Sequence, residues 1–436
     1  MQFLVQPSAL TGGDVRVPGD KSISHRALML GAVASGQTNI EGFLAADDCL
    51  ATLAALRAMG VQCEQTDAGN VSVQGVGIGG LSQAAGPLDL GNSGTALRLF
   101  AGLLSGQQFT STLTGDASLT RRPMNRVIKP LCRMGADIDS ADGLPPLTIH
   151  GPRTLTGMRY EMPVASAQVK SALLLAGLQA AGETVVCEPA TSRDHTERML
   201  RSMGVTVRSD DGEIGVAGGQ QPVGTNIQVP GDLSSAAFLI LAALIAKDCE
   251  VTLHNIGINP TRTGALDILR QMGADLALLD ERLPGQEPVA DIRVRSSKLH
   301  GIEVDPSLVS LAIDEFPALF IAAAAAEGRT RFSGIGELRV KESDRIGAMA
   351  TGLRQLGIRV EESADGATVH GGRFDGGTIQ SCGDHRIAMS FAVAATVAQS
   401  EVKILDTSAV NTSFPGFVEC LNALGGKVRS VRRGLQ

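Results

Sequence analysis

The 436-residue chain contains no tryptophan and a single tyrosine, Tyr160, and only 3% of its residues are aromatic. Its formal net charge is −7 at pH 7. Nucleic-acid binding relies on a basic field and on aromatic rings that stack on bases. The composition therefore argues against a nucleic-acid partner. The 52 glycines point instead to many tight ends of helices and strands.

Paired cysteines and long apolar runs are also missing. The seven cysteines are scattered, without the close pairs typical of metal sites or disulfide-rich domains. The longest apolar runs, such as residues 236–246, are about half of a bilayer span. The start, Met1 to Val5, lacks the basic flank and apolar run of a signal peptide. We expect a cytoplasmic monomer with no metal, no cofactor and no membrane partner.

A two-part unit occurs six times along the chain. Its first part is a turn, a helix of small and apolar residues, a short break and a strand. The turns lie at residues 19–22, 91–95, 165–168, 231–235, 313–317 and 383–386. Because most of these helices carry Ala and Leu on all sides, we expect them to be buried rather than amphipathic.

The second part is an amphipathic helix that ends in a Met-Gly or Leu-Gly pair and leads into a strand. The glycines of these pairs are Gly60, Gly135, Gly204, Gly273, Gly357 and Gly425. Glycine is favoured there because a helix commonly ends in a left-handed residue. The repeats predict an α/β protein of two domains with three units each, residues 17–227 and residues 1–16 plus 228–436. The active site is expected in the cleft between them.

The head of the first unit, Val-Pro-Gly-Asp-Lys-Ser at residues 17–22, runs directly into a helix. Lys21, Ser22 and Arg26 fall in its first turn and a half, although the positive end of a helix disfavours cations. An anion bound between the two cations would resolve the conflict. For one such head alone, solvated charges on a surface helix are an equally good explanation.

Cations recur at the other heads, against an acidic background: Arg98, Lys170, Lys341, Arg345, His385 and Arg386. The loop Leu-Gly-Asn-Ser-Gly-Thr at residues 90–95 allows an anion to approach the backbone closely, and Arg121 and Arg122 follow it. A single arginine is more often a surface residue than a ligand. Cations at most heads instead predict a site for a polyanionic substrate.

Acid–base candidates are fewer. Asp314 precedes a nearly uninterrupted apolar helix, where it is either an N-cap or a general base kept ionised by nearby cations. The segment Lys-Glu-Ser-Asp-Arg at residues 341–345 is either a solvated helix start with local ion pairs or part of the same site. His25, His195 and His385 have no metal-binding spacing.

Together these segments resemble the 5-enolpyruvylshikimate-3-phosphate synthases, of the enolpyruvyl transferase family, over essentially the full chain. The matching motifs, in the family's order, are Gly-Asp-Lys-Ser-Ile-Ser-His-Arg, Leu-Gly-Asn-Ser-Gly-Thr, Arg-Pro-Met, Ser-Ala-Gln, Lys-Glu-Ser-Asp-Arg and Asp-His-Arg. Each alone is weak evidence, and the ordered set is specific. The resemblance implies a two-domain inside-out α/β barrel, each domain built from three repeated units of parallel buried helices and four-stranded sheets. It also implies that the first few residues pair with the C-terminal domain.

The resemblance implies transfer of the enolpyruvyl group of phosphoenolpyruvate to the 5-hydroxyl of shikimate 3-phosphate, with release of phosphate. It assigns shikimate 3-phosphate to Lys21, Ser22, Arg26, Ser166, Ala167, Gln168, Arg193, Asp314 and Lys341. It assigns phosphoenolpyruvate to Lys21, Gly94, Arg122, Gln168, Arg345, His385 and Arg386. Asp314 would take the hydroxyl proton. Glu342 is the candidate that protonates the methylene carbon, and Lys21 is its rival.

The chain mixes features of two classes of this family. Residues 166–168, 193–197 and 259–262 resemble the second class, whereas Gly94 is typical of the first class, which glyphosate inhibits. A lysine that first-class members carry near the C-terminus is absent, and Asn-Thr-Ser-Phe-Pro at 411–415 stands in its place. We expect glyphosate to compete with phosphoenolpyruvate, because Gly94 leaves the room that an alanine methyl would fill.

Two other functions are alternatives. The other enolpyruvyl transferase, which shares this fold and uses a UDP-sugar, typically has Lys-Asn in place of Lys21-Ser22. It also has a reactive cysteine in the loop corresponding to residues 115–124, where this chain has none. A non-catalytic anion-binding protein of this fold would be favoured by the loss of Asp314 or Glu342, and both are present.

Overall fold

The computed structural model describes residues 1–66 and 69–432. Within these ranges the α-helices occupy all twelve predicted positions, and one short α-helix, α9, is added. They are α1 Lys21–Val33, α2 Asp47–Ala58, α3 Gly94–Leu104, α4 Asn125–Arg133, α5 Ala167–Gly177, α6 His195–Ser202, α7 Leu233–Ile245, α8 Gly264–Gln271, α9 Val309–Ala312, α10 Phe316–Ala325, α11 Arg345–Gln355, α12 His385–Thr396 and α13 Phe417–Ala423.

Short strands alternate with these helices. In chain order they are β1 Gln2–Gln6, β2 Gly13–Val15, β3 Ser35–Glu41, β4 Gln62–Gln65, β5 Val71–Val76, β6 Leu88–Asp89, β7 Ser111–Thr114, β8 Asp137–Ala141, β9 Leu144–His150, β10 Arg159–Glu161, β11 Glu183–Cys187, β12 Val207–Asp210, β13 Glu213–Ala217, β14 Asn226–Gln228, β15 Glu250–Gly257, β16 Asp275–Arg282, β17 Val289–Arg295, β18 Arg329–Ser333, β19 Val360–Ser363, β20 Gly366–His370, β21 Gly377–Gln380, β22 Val402–Leu405 and β23 Lys427–Val431.

The strands form six sheets, and five of them share one plan, a parallel pair at one edge followed by antiparallel neighbours. The orders are β14-β3-β5-β4, β6-β7-β9-β8, β10-β11-β13-β12, β2-β15-β17-β16, β18-β20-β19 and β21-β22-β1-β23. The fifth sheet differs from the expected four strands because its edge segment pairs with β18 at a single isolated parallel bridge, from Glu303 to Arg331.

The first strand of the chain belongs to the sixth repeat. Strand β1 lies between β22 and β23, and Phe3 pairs with Ile404 on one side and with Ser430 on the other. The expectation that the first residues pair with the C-terminal part of the chain is confirmed. Strand β14 likewise closes the first sheet by pairing with β3. The sheets of the first and sixth repeats are therefore completed by distant segments of the chain.

All six glycines predicted to end the second helices adopt a left-handed conformation, with φ between +81° and +106°. Each end has the same two hydrogen bonds. At α2, for example, Gly60 N–H donates to the Arg57 carbonyl and Val61 N–H donates to the Leu56 carbonyl. The residue corresponding to Leu56 is a leucine in every repeat: Leu131, Leu200, Leu269, Leu353 and Leu421. This cap satisfies the last carbonyls of the helix and turns the chain into the next strand.

The chain divides into two compact units. The N-terminal unit comprises Gly19–Val229 with Pro284–Glu287, and the C-terminal unit comprises Met1–Pro18, Pro230–Leu283 and Pro288–Gln436. Each has its own apolar core. Helices α1, α3 and α5 are largely buried in the first, and α7, α10 and α12 in the second. The predicted burial of the first-part helices is confirmed. The polar residues of these otherwise apolar helices lie mainly at their N-terminal ends.

Candidate active site

The head of α1 carries the first group of predicted residues. Asp20 caps the helix by accepting from Ile23 N–H at 2.8 Å. Lys21, the first helical residue, forms an ion pair of 2.5 Å with Asp48. Lys21 is partly exposed, whereas the side chain of Asp48 is 5% exposed. The buried carboxylate therefore anchors the ammonium group at the helix end.

Arg26 lies one turn further along α1 and is 3% exposed. It donates three hydrogen bonds to uncharged oxygens: to Thr196 Oγ1 at 2.7 Å, to Ser171 Oγ at 2.7 Å and to the Ser22 carbonyl at 2.9 Å. Burial lowers the pKa of Arg26 to about 10, partly opposed by the charge of Glu197. The group stays protonated at neutral pH. Since a guanidinium has five N–H donors, two remain for a further acceptor.

The predicted glycine-rich loop forms the N-terminal end of α3. Ser93 caps that helix by accepting from Ala96 N–H at 3.1 Å. Arg122 donates to the Asn92 side chain at 2.6 Å. A Cβ atom added at Gly94 would lie 3.2 Å from Arg122 Nη1 and 2.8 Å from Arg98 Nη1. A side chain at position 94 would therefore crowd two guanidinium groups.

The Ser-Ala-Gln motif starts α5. Ser166 is the N-cap residue, accepting from Val169 N–H at 3.4 Å, and Ala167 is the first helical residue. Gln168 donates to Thr95 Oγ1 at 2.9 Å and accepts from Arg98 Nη1 at 2.7 Å. The structure therefore joins the start of α5 to the start of α3.

Lys170 does not behave like the other head cations. Its side chain is 1% exposed and forms ion pairs with Glu188 at 2.8 Å and Glu197 at 2.7 Å. The expectation that this cation belongs to the anion-binding set is wrong, because two carboxylates already surround it. Sequence alone could not reveal this, since the partners follow 18 and 27 residues later. Arg193, by contrast, is only half-buried, and its charge acts on Arg26.

His25 is a buried residue of this region for which the sequence indicated no role. Its Nδ1 lies 2.8 Å from Thr52 Oγ1 and its Nε2 lies 3.2 Å from Ser93 Oγ. Burial, with the charges of Lys21 and Arg26, lowers the pKa of His25 to about 3. The ring is therefore neutral, and it links α1 to α2 and to the cap of α3.

The acid–base candidates meet at Arg345, the first residue of α11. Arg345 is 1% exposed and contacts three carboxylates: Glu342 at 2.6 Å, Asp384 at 2.8 Å and Asp314 at 3.3 Å. Burial alone lowers the pKa of Arg345, but these carboxylates raise it above its ordinary value. The structure thus brings two of the catalytic candidates, Asp314 and Glu342, to one buried guanidinium group.

Asp314 also pairs with Lys341, whose Nζ lies 3.5 Å from the carboxylate. The residue that precedes α10 is Glu315, so Asp314 is not the N-cap of that helix. Two cations therefore contact Asp314, and cations stabilise the ionised form of a carboxylate. Of the two interpretations of Asp314, the position of the residue favours the general base.

His385 and Arg386 begin α12, which Asp384 caps by accepting from Arg386 N–H at 2.9 Å. Arg386 also donates from Nη1 to the Asp314 carbonyl at 2.8 Å. His385 is buried, with 5% of its surface exposed. Asp384 therefore connects the start of α12 to Arg345, through a carboxylate that sequence reasoning did not single out.

A second buried polar cluster in the C-terminal unit was also missed. Arg262 donates to Ser234 Oγ at 2.8 Å and pairs with Asp232 at 3.2 Å. Ser234 donates to Glu315, which precedes α10 directly. Glu315 lies 4.0 Å from Arg386. The sequence signal was the polar residues within the otherwise apolar heads of α7 and α10.

Among residues 1–66 and 69–432, no group of three or more His, Cys, Asp or Glu side chains is placed to hold a metal ion. Within the same residues, no helix has the length and apolar character needed to span a membrane.

Comparisons with known proteins agree over nearly the whole chain. The family model described as EPSP synthase (3-phosphoshikimate 1-carboxyvinyltransferase) matches residues 5–421. A 3-phosphoshikimate 1-carboxyvinyltransferase of Alkalilimnicola ehrlichii is 57% identical, covering 98% of this chain and 96% of that protein. The protein of that name from Methylococcus capsulatus is 56% identical, covering 97% of each. A solved EPSP synthase from Acinetobacter baumannii is 50% identical and superposes with a TM-score of 0.88, covering 99% of this chain and 100% of the other.

Proposed function

The chain belongs to the EPSP synthases, the 3-phosphoshikimate 1-carboxyvinyltransferases, and on this premise we propose how its side chains carry out the reaction. The chain transfers the enolpyruvyl group of phosphoenolpyruvate to the 5-hydroxyl of shikimate 3-phosphate and releases phosphate, a step of the shikimate pathway to aromatic amino acids. The convergence of Asp314 and Glu342 on Arg345, at 3.3 and 2.6 Å, carries this conclusion. A purely anion-binding protein has no need of two carboxylates held at one cationic site.

Shikimate 3-phosphate binds at the start of α1. The two remaining N–H donors of Arg26, the Lys21 ammonium and the Ser22 hydroxyl suit a phosphate, because charge-assisted hydrogen bonds are the strong ones. The remaining contacts to this substrate come from Ser166, Ala167, Gln168, Arg193, Asp314 and Lys341. The amide of Gln168 is supported by its bonds to Thr95 and Arg98.

Phosphoenolpyruvate binds to a second set of cations: Lys21, Arg122, Arg345, His385 and Arg386, with Gly94 and Gln168. The lack of a side chain at Gly94, beside Arg98 and Arg122, suits an anion that approaches the helix end. Two anionic substrates repel each other. The cations therefore orient the substrates and also reduce the cost of bringing them together.

The reaction proceeds by addition and then elimination. Asp314 takes the proton of the 5-hydroxyl while that oxygen bonds to C2 of phosphoenolpyruvate. A second group gives a proton to the methylene carbon, which becomes a methyl group in a tetrahedral adduct. The adduct then loses phosphate, and the methyl group loses a proton to restore the double bond. Glu342 is the proposed donor and Lys21 its rival.

No cofactor is assigned to this chemistry, since protons and phosphate account for every step. We also propose that the protein acts as a monomer in the cytoplasm, in keeping with relatives that are biosynthetic enzymes. Light scattering coupled to size-exclusion chromatography should give a mass near 45.2 kDa for a monomer. A mass of twice that value at working concentration would refute the monomer.

Glyphosate is proposed as a competitive inhibitor against phosphoenolpyruvate. A methyl group at position 94 would lie 3.2 Å from Arg122 Nη1, within the space that an inhibitor needs. Gly94→Ala should therefore weaken glyphosate inhibition and raise the KM for phosphoenolpyruvate. Turnover of the unaltered chain that persists at high glyphosate and low phosphoenolpyruvate would contradict the proposal.

Phosphate release by the purified chain tests the function directly. Phosphoenolpyruvate is supplied with shikimate 3-phosphate, without it, or with a UDP-N-acetyl sugar instead. The proposal requires release that depends on shikimate 3-phosphate. Release with the UDP-sugar alone would make the chain the other enolpyruvyl transferase, and no release with either would indicate a non-catalytic anion-binding protein.

A further inference from the structure

Helices α5 and α6 are joined by two adjacent pairs of side chains. Lys170 Nζ lies 2.7 Å from Glu197 Oε1, and the next residues, Ser171 and Thr196, have their hydroxyl oxygens 2.7 Å apart. Each pair takes consecutive residues from the two helices. The ion pair therefore fixes the distance between the two helices at the position of the two hydroxyl groups.

Arg26 binds to the second pair. Its Nε donates to Thr196 Oγ1 and its Nη2 donates to Ser171 Oγ, both at 2.7 Å. Ser171 also donates to the Ala167 carbonyl at 2.6 Å, so its single hydroxyl hydrogen is used. Thr196 must then donate to Ser171. The direction of each hydrogen bond in this contact is therefore determined. Two hydroxyl groups fix the plane of the guanidinium group, and Lys170 and Glu197 are the residues next to them in the chain.

The ion pair of Lys170 and Glu197 carries a desolvation cost, and a gain in folding stability does not account for its presence. Lys170 is 1% exposed and Glu197 is 2% exposed, and removing two charges from water generally costs as much as their attraction returns. Glu188 adds a second carboxylate to Lys170 at 2.8 Å. Replacing a buried ion pair with well-packed apolar residues is often neutral or stabilising. The charges are therefore explained by the geometry that they impose.

We infer that Lys170 and Glu197 are positioning residues for Arg26, which they hold ready for the phosphate group of shikimate 3-phosphate. This inference rests on the proposed function. The pair sets the spacing of α5 and α6, the spacing places Ser171 and Thr196, and these hydroxyls orient Arg26. Glu197 also supplies the negative charge that acts most strongly on Arg26, against the repulsion of Arg193.

Glu197→Gln tests this inference, and it should fold because Lys170 keeps Glu188 as its partner. The KM for shikimate 3-phosphate should rise about tenfold, while kcat and the KM for phosphoenolpyruvate change less than about twofold. If Glu197 acted on Arg26 only through its charge, the KM would change in the opposite direction. Removing a negative charge beside Arg26 would then tighten binding of the anionic substrate, and a lower KM would overturn the inference.

Glu188→Gln is the matched control, because it removes a buried carboxylate from the same lysine but leaves the pair of Lys170 and Glu197. Its KM for shikimate 3-phosphate should change less than about threefold. Equal increases in both variants would indicate general loosening and would overturn the inference. Circular dichroism and thermal unfolding verify that both variants are folded.

A double-mutant cycle with Thr196→Val tests the route of the effect. Thr196→Val removes the acceptor of Arg26 Nε, so Glu197→Gln should add less than about twofold to the KM in that background. Independent, multiplying effects would contradict the inference. If the unaltered chain releases no phosphate with shikimate 3-phosphate, the proposed function fails. Normal turnover of that chain with an unchanged KM in Glu197→Gln refutes the inference alone.

Discussion

Two buried arginines, one in each unit, have opposite surroundings. Arg26 is 3% exposed and donates to two hydroxyls and a carbonyl, whereas Arg345 is 1% exposed and contacts three carboxylates. Burial lowers the pKa of Arg26 to about 10, while the carboxylates raise the pKa of Arg345 above its ordinary value. A guanidinium among hydroxyls keeps its charge for an incoming anion. A guanidinium among carboxylates instead organises those carboxylates.

The contrast divides the chemistry between the units. In the N-terminal unit, hydroxyls and a carbonyl hold Arg26 and one aspartate holds Lys21, and both cations have charge to offer a phosphate. In the C-terminal unit a single arginine holds Asp314 and Glu342 at defined positions. Variants that remove one side of this division at a time should therefore have distinct effects.

Asp314→Ala should have the largest effect. Loss of a general base typically costs about 100-fold to 10,000-fold in rate, and we expect kcat to fall by that amount. Steady-state phosphate release measures it. Glu303→Ala, at an exposed carboxylate of the same unit, is the control and should keep normal turnover. Loss of binding with normal turnover at saturation would contradict the role of Asp314.

Glu342→Gln distinguishes the two proposed proton donors. If Glu342 is the acid, its loss should slow the incorporation of solvent deuterium into the methylene group of phosphoenolpyruvate by about 100-fold. Mass spectrometry of recovered phosphoenolpyruvate and product measures the exchange. Unchanged incorporation would assign the donor to Lys21 instead.

Lys21→Ala should weaken both substrates, because one ammonium group serves both anions. Hydrogen bonds to charged groups contribute about 1.5–3 kcal/mol, so each KM should rise by roughly 10-fold to 100-fold. Lys129→Ala, at an exposed lysine of α4, is the control. If neither KM changes, Lys21 does not belong to the site.

His25 gives the smallest effect, which appears in stability rather than in turnover. Burial lowers its pKa in the folded chain to about 3, from an ordinary value of 6.5, so the unfolded chain binds the proton more readily. The contribution of His25 is complete above pH 6.5 and is lost as the pH falls. At pH 5 the loss is about 2 kcal/mol.

Urea unfolding at pH 5 and pH 7.5 measures this effect. His25→Asn should remove part of the pH dependence of the unfolding midpoint, whereas His300→Asn, at an exposed histidine, should not. Identical pH dependence in the unaltered chain and in His25→Asn would show that the buried ring is not neutral in the folded state.

Local features of this fold could be predicted from the sequence, because their causes are local. The six left-handed glycines follow from helix ends that need them, and each was visible as a Met-Gly or Leu-Gly pair. The arginines that reinforce three of these ends were missed. Arg57, Arg201 and Arg354 each donate from Nε and Nη2 to one carbonyl of the following strand, Cys63, Val207 or Val360.

Features that depend on tertiary packing could not be predicted from the sequence. Lys170 resembled the other head cations until packing brought Glu188 and Glu197 to it. Asp384 was visible only as part of a motif, and its contact with Arg345 joins residues 39 positions apart. The convergence of Asp314 and Glu342 on Arg345 likewise needed the fold, although the resemblance to a family had named all three residues.

Calorimetric titration with shikimate 3-phosphate tests the central contrast most directly. Arg26→Met should lose nearly all affinity, because it removes a charge that hydroxyls hold available. Asp314→Ala, which removes a carboxylate from Arg345, should bind within about tenfold of the unaltered chain, although it turns over slowly. Unchanged affinity in Arg26→Met, or complete loss of affinity in Asp314→Ala, would contradict the division of roles between the two arginines.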